Sequence, residues 1–360
     1  MKPLARIAAA LGLAAAVITP SPALAADPVL HDHPLPGLRA EAELTDLAAP
    51  AQNQIWIVGY QALKPGYPGN PVVHRWNGRR WAGFTIPDFS SRGVLRSVSA
   101  TADGVWIGGT KDGAAYIAQY VNGAFTQVAA PAGLRSAAPE QTSAGVWLPG
   151  DPRTGVIWRR EGTAWAPYAM PMQKVLAVKA LGGQAWAVGG APAEDDSVPG
   201  VARFTGTAWE NVPYPAPFSE GSILEDVLPR TADDIWVAGT DYTRGEPRPT
   251  EPLLHRYDGA TWTPVPLPPE VIGLNSIARD DSGKVWISGL AQAPGWDARP
   301  RPVLIGTSPD PIAWTVVEVP FDGESGVHHE GWDTLGVEAG TSRIWLLADT
   351  RPNGPVLSTG

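Results

Sequence analysis

Ile235-Trp236-Val237-Ala238-Gly239 is five residues long, and the chain repeats its pattern seven times. The other copies are Ile55-Trp56-Ile57-Val58-Gly59, Val105-Trp106-Ile107-Gly108-Gly109, Val146-Trp147-Leu148-Pro149-Gly150, Ala185-Trp186-Ala187-Val188-Gly189, Val285-Trp286-Ile287-Ser288-Gly289 and Ile344-Trp345-Leu346-Leu347-Ala348. Successive tryptophans lie 50, 41, 39, 50, 50 and 59 residues apart. The mean of about 48 falls in the range where strand-rich repeats build propeller blades. Apart from Ser288 each copy is apolar throughout, as expected of a middle strand buried on both faces. Ile235 and Val237 are expected to face one neighbouring blade, with Trp236 and Ala238 facing the other. Each buried indole removes roughly 150–250 Å² from water, a gross gain of about 4–6 kcal/mol before entropy.

A second pattern follows the first six of these strands in chain order. Arg256-Tyr257-Asp258-Gly259-Ala260-Thr261-Trp262 is typical: a strand, a tight polar-Gly turn and a strand opening on an aromatic. Ser308-Pro309-Asp310-Pro311-Ile312-Ala313-Trp314 is its degenerate sixth copy. The segment after the turn, as in Val265-Pro266-Leu267-Pro268, carries prolines that suit an outer edge strand. Ahead of each Trp strand runs a short apolar stretch such as Leu274-Asn275-Ser276-Ile277-Ala278. The expectation is an all-β, seven-bladed β-propeller with four antiparallel strands per blade, A to D, and the tryptophan on strand B. After the last Trp strand only Pro355 to Gly360 remain, enough for a strand C. Residues 28–36 resemble Trp262 to Pro268, including the Pro-Leu-Pro close, and are expected to supply the missing outer strand of blade seven.

The first 25 residues read as a secretory signal peptide: Lys2 and Arg6, an apolar run from Ile7 to Ile18, and a small-x-small site ending at Ala25. Residues 26–360 then form one exported propeller domain. The apolar run is shorter than the roughly 20 residues a bilayer span needs, so no membrane anchor is expected after cleavage. With no Cys, the chain has neither disulfides nor thiolate chemistry. A net charge of -9 argues against a nucleic-acid partner.

The Trp strand ending in Gly, the Arg-Tyr-Asp-Gly turn and the following Trp and Leu-Pro resemble the kelch/galactose-oxidase-like propeller repeat. The Ser308 to Trp314 turn is similar to an Asp-box with one residue missing. The resemblance lies at structural positions and implies a fold. It carries no activity, because galactose-oxidase chemistry needs a Cys-Tyr cofactor and this chain has no Cys.

Fourteen of the 16 tryptophans fall on repeat positions and are assigned to blade packing. His74 and His255 share one strand C slot, which favours a structural role, and His31 and His33 fall on the expected closing strand. Asp103, Asp233, Asp234, Asp280 and Asp281 read as A–B turn residues. The two remaining tryptophans mark the expected site. Trp296 lies with Asp297, Arg299 and Arg301 in the B–C connection of blade six, and Trp332 with His328, His329, Glu330 and Asp333 in the connection entering blade seven. In a four-stranded meander the B–C and D–A connections emerge on one face, and here they are the long ones. Trp296, Asp297, Arg299, Arg301 and Trp332 are the expected ligand contacts, and His328, His329, Glu330 and Asp333 the catalytic candidates. No cofactor is expected, although imidazole and carboxylate together could hold a divalent metal. The primary expectation is a secreted, monomeric recognition module for a glycan, a small molecule or an extracellular protein. The alternatives are a glycan-active hydrolase or lyase, and a protein–protein scaffold.

Overall fold

The computed structural model describes residues 28–38, 42–61, 69–89, 93–152, 154–191, 198–215, 221–242, 250–292, 300–319, 334–349 and 355–360. These residues form seven four-stranded antiparallel sheets and, among them, no helix. Six sheets are simple meanders. Their innermost strands A are Glu43–Ala51, Gly93–Thr101, Glu140–Thr142, Lys174–Leu181, Ile223–Thr231 and Val271–Arg279. Strand A of blade seven is Thr334–Val337.

The seven tryptophans sit on strand B, none is more than 3% exposed, and Trp147 and Trp236 are wholly buried. Facing alternates as the sequence implies. Ile235 and Val237 pack with Trp186 and Val188 of blade four. Trp236 and Ala238 pack with Leu274, Ile277 and Ile287 of blade six. The core is therefore a ring of layers between blades rather than a single centre. Arginines on strand C lie over the indoles directly opposite in register: Arg75 over Trp56 at 5.4 Å, Arg159 over Trp147 at 5.3 Å and Arg256 over Trp236 at 5.9 Å. Two of the turn aspartates take indole N–H groups: Trp236 Nε1 donates to Asp234 at 3.1 Å and Trp286 Nε1 to Asp280 at 2.9 Å. In the C–D turn of blade two, Asn122 and Gly123 both have positive φ, 51° and 90°, the geometry of a two-residue hairpin turn.

Ring closure follows the sequence expectation. His31–Asp32 pairs with Pro355–Thr359, His31 opposite Thr359, and completes the seventh sheet as its outer strand. The backbone N–H of His33 extends the pairing to the Leu357 carbonyl at 2.7 Å. Leu30 fills the place that Trp262 fills in blade five, and is 5% exposed in the layer between blades six and seven. Pro34 matches Pro266. The Pro266 carbonyl accepts the indole N–H of Trp314 from the next blade at 2.7 Å, and the Pro34 carbonyl accepts that of Trp81 at 2.8 Å. The N-terminal segment thus reproduces the outer-edge staple of the repeat.

The glycine three residues after the tryptophan has a steric cause. In five blades strand A carries a bulge: the register slips between Leu44/Asp46, Leu95/Ser97, Val175/Ala177, Leu224/Asp226 and Leu274/Ser276. Each bulge presses a strand A carbonyl onto the strand B glycine. A Cβ added at Gly59, Gly109, Gly189, Gly239 or Gly289 would stand 2.0–2.2 Å from that oxygen. In blade seven the residue at the glycine position is Ala348, and the strand A residues that would lie opposite it fall outside the described residues. Gly239→Ala is therefore expected to cost about 1–3 kcal/mol through forced backbone movement. Gly37→Ala, where an added Cβ would meet nothing within 4 Å, should change stability by no more than about 1 kcal/mol. Thermal melts of both variants check this, and equal effects would contradict the steric account.

Candidate functional site

A bulge turns the residues on either side of it to new directions. Here the bulged strands are the innermost ones, so those residues meet at the axis. Counting from the residue opposite each strand B tryptophan, that position holds Ala48, Ser99, Glu140, Lys179, Leu228, Ala278 and Gly336 in blades one to seven. Two residues earlier, beside the bulge, stand Asp46, Ser97, Ala177, Asp226 and Ser276 in blades one, two, four, five and six. A cavity of about 1110 Å³ runs along the axis, and its charged lining is Asp46, Glu140, Lys179, Glu225, Asp226 and Arg279.

Two aspartates join neighbouring blades in the same way. Asp226 accepts the N–H of Val227 on Oδ1 at 2.8 Å, and on Oδ2 the N–H of Ile277 from blade six at 2.9 Å. Asp46 accepts Leu47 N–H on Oδ1 and, on Oδ2, Val98 N–H from blade two, both at 2.8 Å. Asp226 has two further donors, the Ser276 hydroxyl at 2.9 Å and the Lys179 ammonium at 2.7 Å. The ammonium reaches on to the Ile277 carbonyl at 2.9 Å, so it ties blades four, five and six together.

The electrostatics follow from this crowding. Asp46 and Glu140 keep some surface toward the cavity, yet protein encircles them, and that encirclement is what disfavours their charge. Burial first, then the charge of Asp226, pushes the Asp46 carboxyl up to about 7, against its two backbone donors and Lys179. Burial, and after it the charge of Asp46, pushes Glu140 up to about 8, opposed by Lys179 and the Ser99 hydroxyl. Burial raises Glu225 as well, opposed by Lys174. Between their unfolded values near 4 and these raised values the folded protein binds more protons than the unfolded chain. The pair's contribution to stability is thus full below about pH 4 and is lost as pH rises through about 7–8. Glu140→Gln is expected to leave the melt nearly unchanged at about pH 5. At about pH 8.5 it should stabilise by about 1–3 kcal/mol, after allowance for water in the cavity. Equal shifts at the two pH values would contradict the assignment.

The loop residues expected from the sequence fall elsewhere. Trp296, Asp297 and Arg299, and likewise His328, His329, Glu330, Trp332 and Asp333, lie outside the described residues. Arg301 opens strand C of blade six, half-buried and paired with Ala291. His255 accepts or donates at Nδ1 to the Tyr214 hydroxyl at 2.7 Å, and burial lowers its affinity for a proton, as it does for His74. His33 packs edge-on to Trp76 and Trp345, with ring centroids 4.6 and 4.8 Å apart, inside the closure. The axial residues were missed by sequence reasoning. Their signal was present: a charge inside an otherwise apolar strand A, as in Leu44-Thr45-Asp46-Leu47, Val178-Lys179-Ala180 and Leu224-Glu225-Asp226-Val227. Among the described residues no group of three or more His, Asp or Glu could hold a metal ion.

No family model matches the chain, and no curated protein matches it. Solved structures do. A catalytically inactive virginiamycin B lyase from Staphylococcus aureus with quinupristin superposes with a TM-score of 0.61 at 12% identity, over 92% of this chain and 98% of that one. YCF48 bound to D1 peptide matches with a TM-score of 0.54 at 15% identity, over 94% and 98%. The extracellular domain of BT4673 from B. thetaiotaomicron matches with a TM-score of 0.57 at 13% identity, over 89% of this chain. This chain spans only 39% of the length of that domain. At such identities the likeness is one of fold: the chain is a seven-bladed β-propeller.

Proposed function

We propose that this protein is a secreted recognition propeller that takes its ligand at the axis of the disc. The observation that carries the reading is the axial cavity with four carboxylates and two cations on its wall. Desolvated, partly matched charge at the centre of a fold costs stability, and such groups cluster at functional sites. The signal-like leader and the likeness to an extracellular domain support export. Trp296 and Trp332, with Arg299 and Arg301, remain our candidates for a rim that stacks on a sugar or ring, and His328, His329, Glu330, Asp297 and Asp333 for its polar partners.

One observation favours a second reading, an extracellular hydrolase or lyase. Asp46 and Glu140 are coupled carboxyls raised to about 7 and about 8, the range in which one can donate a proton while the other accepts. A screen of glycans and metabolites against the purified protein, with and without chelator, tests both. Recognition at the axis predicts binding that Glu140→Gln weakens strongly and Trp296→Ala weakens at most slightly. Turnover abolished by Glu140→Gln with binding retained selects the enzyme. Binding lost only in Trp296→Ala or Trp332→Ala overturns the axial site in favour of the loop rim.

A further inference from the structure

The protein already contains one ammonium bound at its axis, that of Lys179. Its cradle is built from three successive blades: Lys179 itself from blade four, Asp226 from blade five, and Ser276 with the Ile277 backbone from blade six. Rotation by three blades about the axis carries these positions onto blades seven, one and two. There the same register holds Gly336, Asp46, Ser97 and Val98. The aspartate is fixed identically, by its own following N–H and by the N–H of the next blade at 2.8 Å. The serine differs. Ser276 donates to Asp226, whereas Ser97, only 5% exposed, has a side-chain oxygen with no hydrogen-bond partner. The cation differs too, since Gly336 has no side chain to send to Asp46. Glu140 of blade three adds a second carboxylate on the same cavity wall, close enough to Asp46 to feel its charge.

We propose that the axial cavity binds a small primary amine, its ammonium held by Asp46 and the Val98 carbonyl as Lys179 is held by Asp226 and the Ile277 carbonyl, with Glu140 as the second counter-charge. This deepens the recognition reading and rests on the axis being the ligand site. The wall charges are consistent with it: Asp46, Glu140, Glu225 and Asp226 face only Lys179 and Arg279. A compact ammonium with three N–H donors suits two carboxylates and a carbonyl, and the same chemistry is offered by a free alkylamine or by a lysine side chain. Binding should tighten as Asp46 and Glu140 ionise, in a cavity whose other titrating groups are Lys179, Glu225, Asp226 and Arg279.

The test is titration calorimetry of the purified protein at about pH 8 with cadaverine, with N-acetyl-lysine methylamide, with tetramethylammonium and with calcium. Cadaverine or the lysine derivative should bind at one site per chain, whichever is tighter naming the source. Tetramethylammonium, which has no N–H, should bind at least about tenfold more weakly. Glu140→Gln should weaken amine binding at least about tenfold, and Gly336→Lys, which tethers an ammonium beside Asp46, should abolish it. A Cβ at Gly336 would come 2.4 Å from the end of the Leu47 side chain, so Asp46→Asn serves as the second variant if that protein fails to fold. Lys179→Ala should open a second site and raise the amine stoichiometry to about two. The inference is overturned if tetramethylammonium or calcium binds as well as cadaverine, or if Asp46→Asn and Glu140→Gln leave amine binding unchanged. If amines fail but another ligand binds in a Glu140-dependent way, the amine assignment falls and the axial site stands. If no ligand responds to Glu140→Gln, both fall.

Discussion

Asp226→Ala should be among the most damaging single substitutions in the molecule. Its side chain is 6% exposed and holds four donors from three blades: two backbone N–H groups, the Ser276 hydroxyl and the Lys179 ammonium. Removing it strands all four. The N–H groups of Val227 and Ile277 sit in buried strands, so each pays desolvation with nothing in return. Loss of about 3–5 kcal/mol is expected, measured by denaturant unfolding. Lys179→Met is the informative contrast. The Lys179 side chain is 38% exposed toward the cavity and Asp226 keeps three donors without it, so about 1 kcal/mol or less is expected. If the two variants cost the same, the aspartate is a salt-bridge partner and not a blade staple.

Deletion of residues 26–37 should act on the whole ring. It removes the outer strand of blade seven, the burial of Leu30, the carbonyl that Trp81 uses, and the His33 ring packed against Trp76 and Trp345. Burying a leucine is worth about 2 kcal/mol, and each lost hydrogen bond about 1. About 4–5 kcal/mol is therefore expected, a fall of about 10 °C in Tm. The cost exceeds these contacts in one respect, because the segment joins the two ends of the chain and its loss opens a long loop. An unchanged Tm would show that the seventh blade stands without its outer strand.

What could be read from the sequence depended on repetition. The Trp strands recur seven times, so their number, period and burial were all visible, and the match of residues 28–36 to Trp262 to Pro268 extended even to the carbonyl of Pro34. The glycine of the pattern was visible too, but its reason was not. Only the strand pairing shows that in five blades it receives a bulge from strand A. The axial residues are legible to a lesser degree still. Asp46, Glu140, Lys179 and Asp226 lie about 94, 39 and 47 residues from one to the next, and only closure of the ring brings them together. Two loops that together gather two tryptophans, two histidines and several charges in about 14 residues are the louder local signal. Chemistry assembled one residue per blade leaves no local motif.

The axis can be interrogated directly by NMR titration of the Asp and Glu side-chain carboxyl carbons. Two carboxyls should titrate at about 7 and about 8; the second should vanish in Glu140→Gln, and it should move down in Asp46→Asn, which removes the charge that raises it. If every carboxyl of the protein titrates below about 5, as exposed ones do, then Asp46 and Glu140 are not enclosed together and the axial site does not exist.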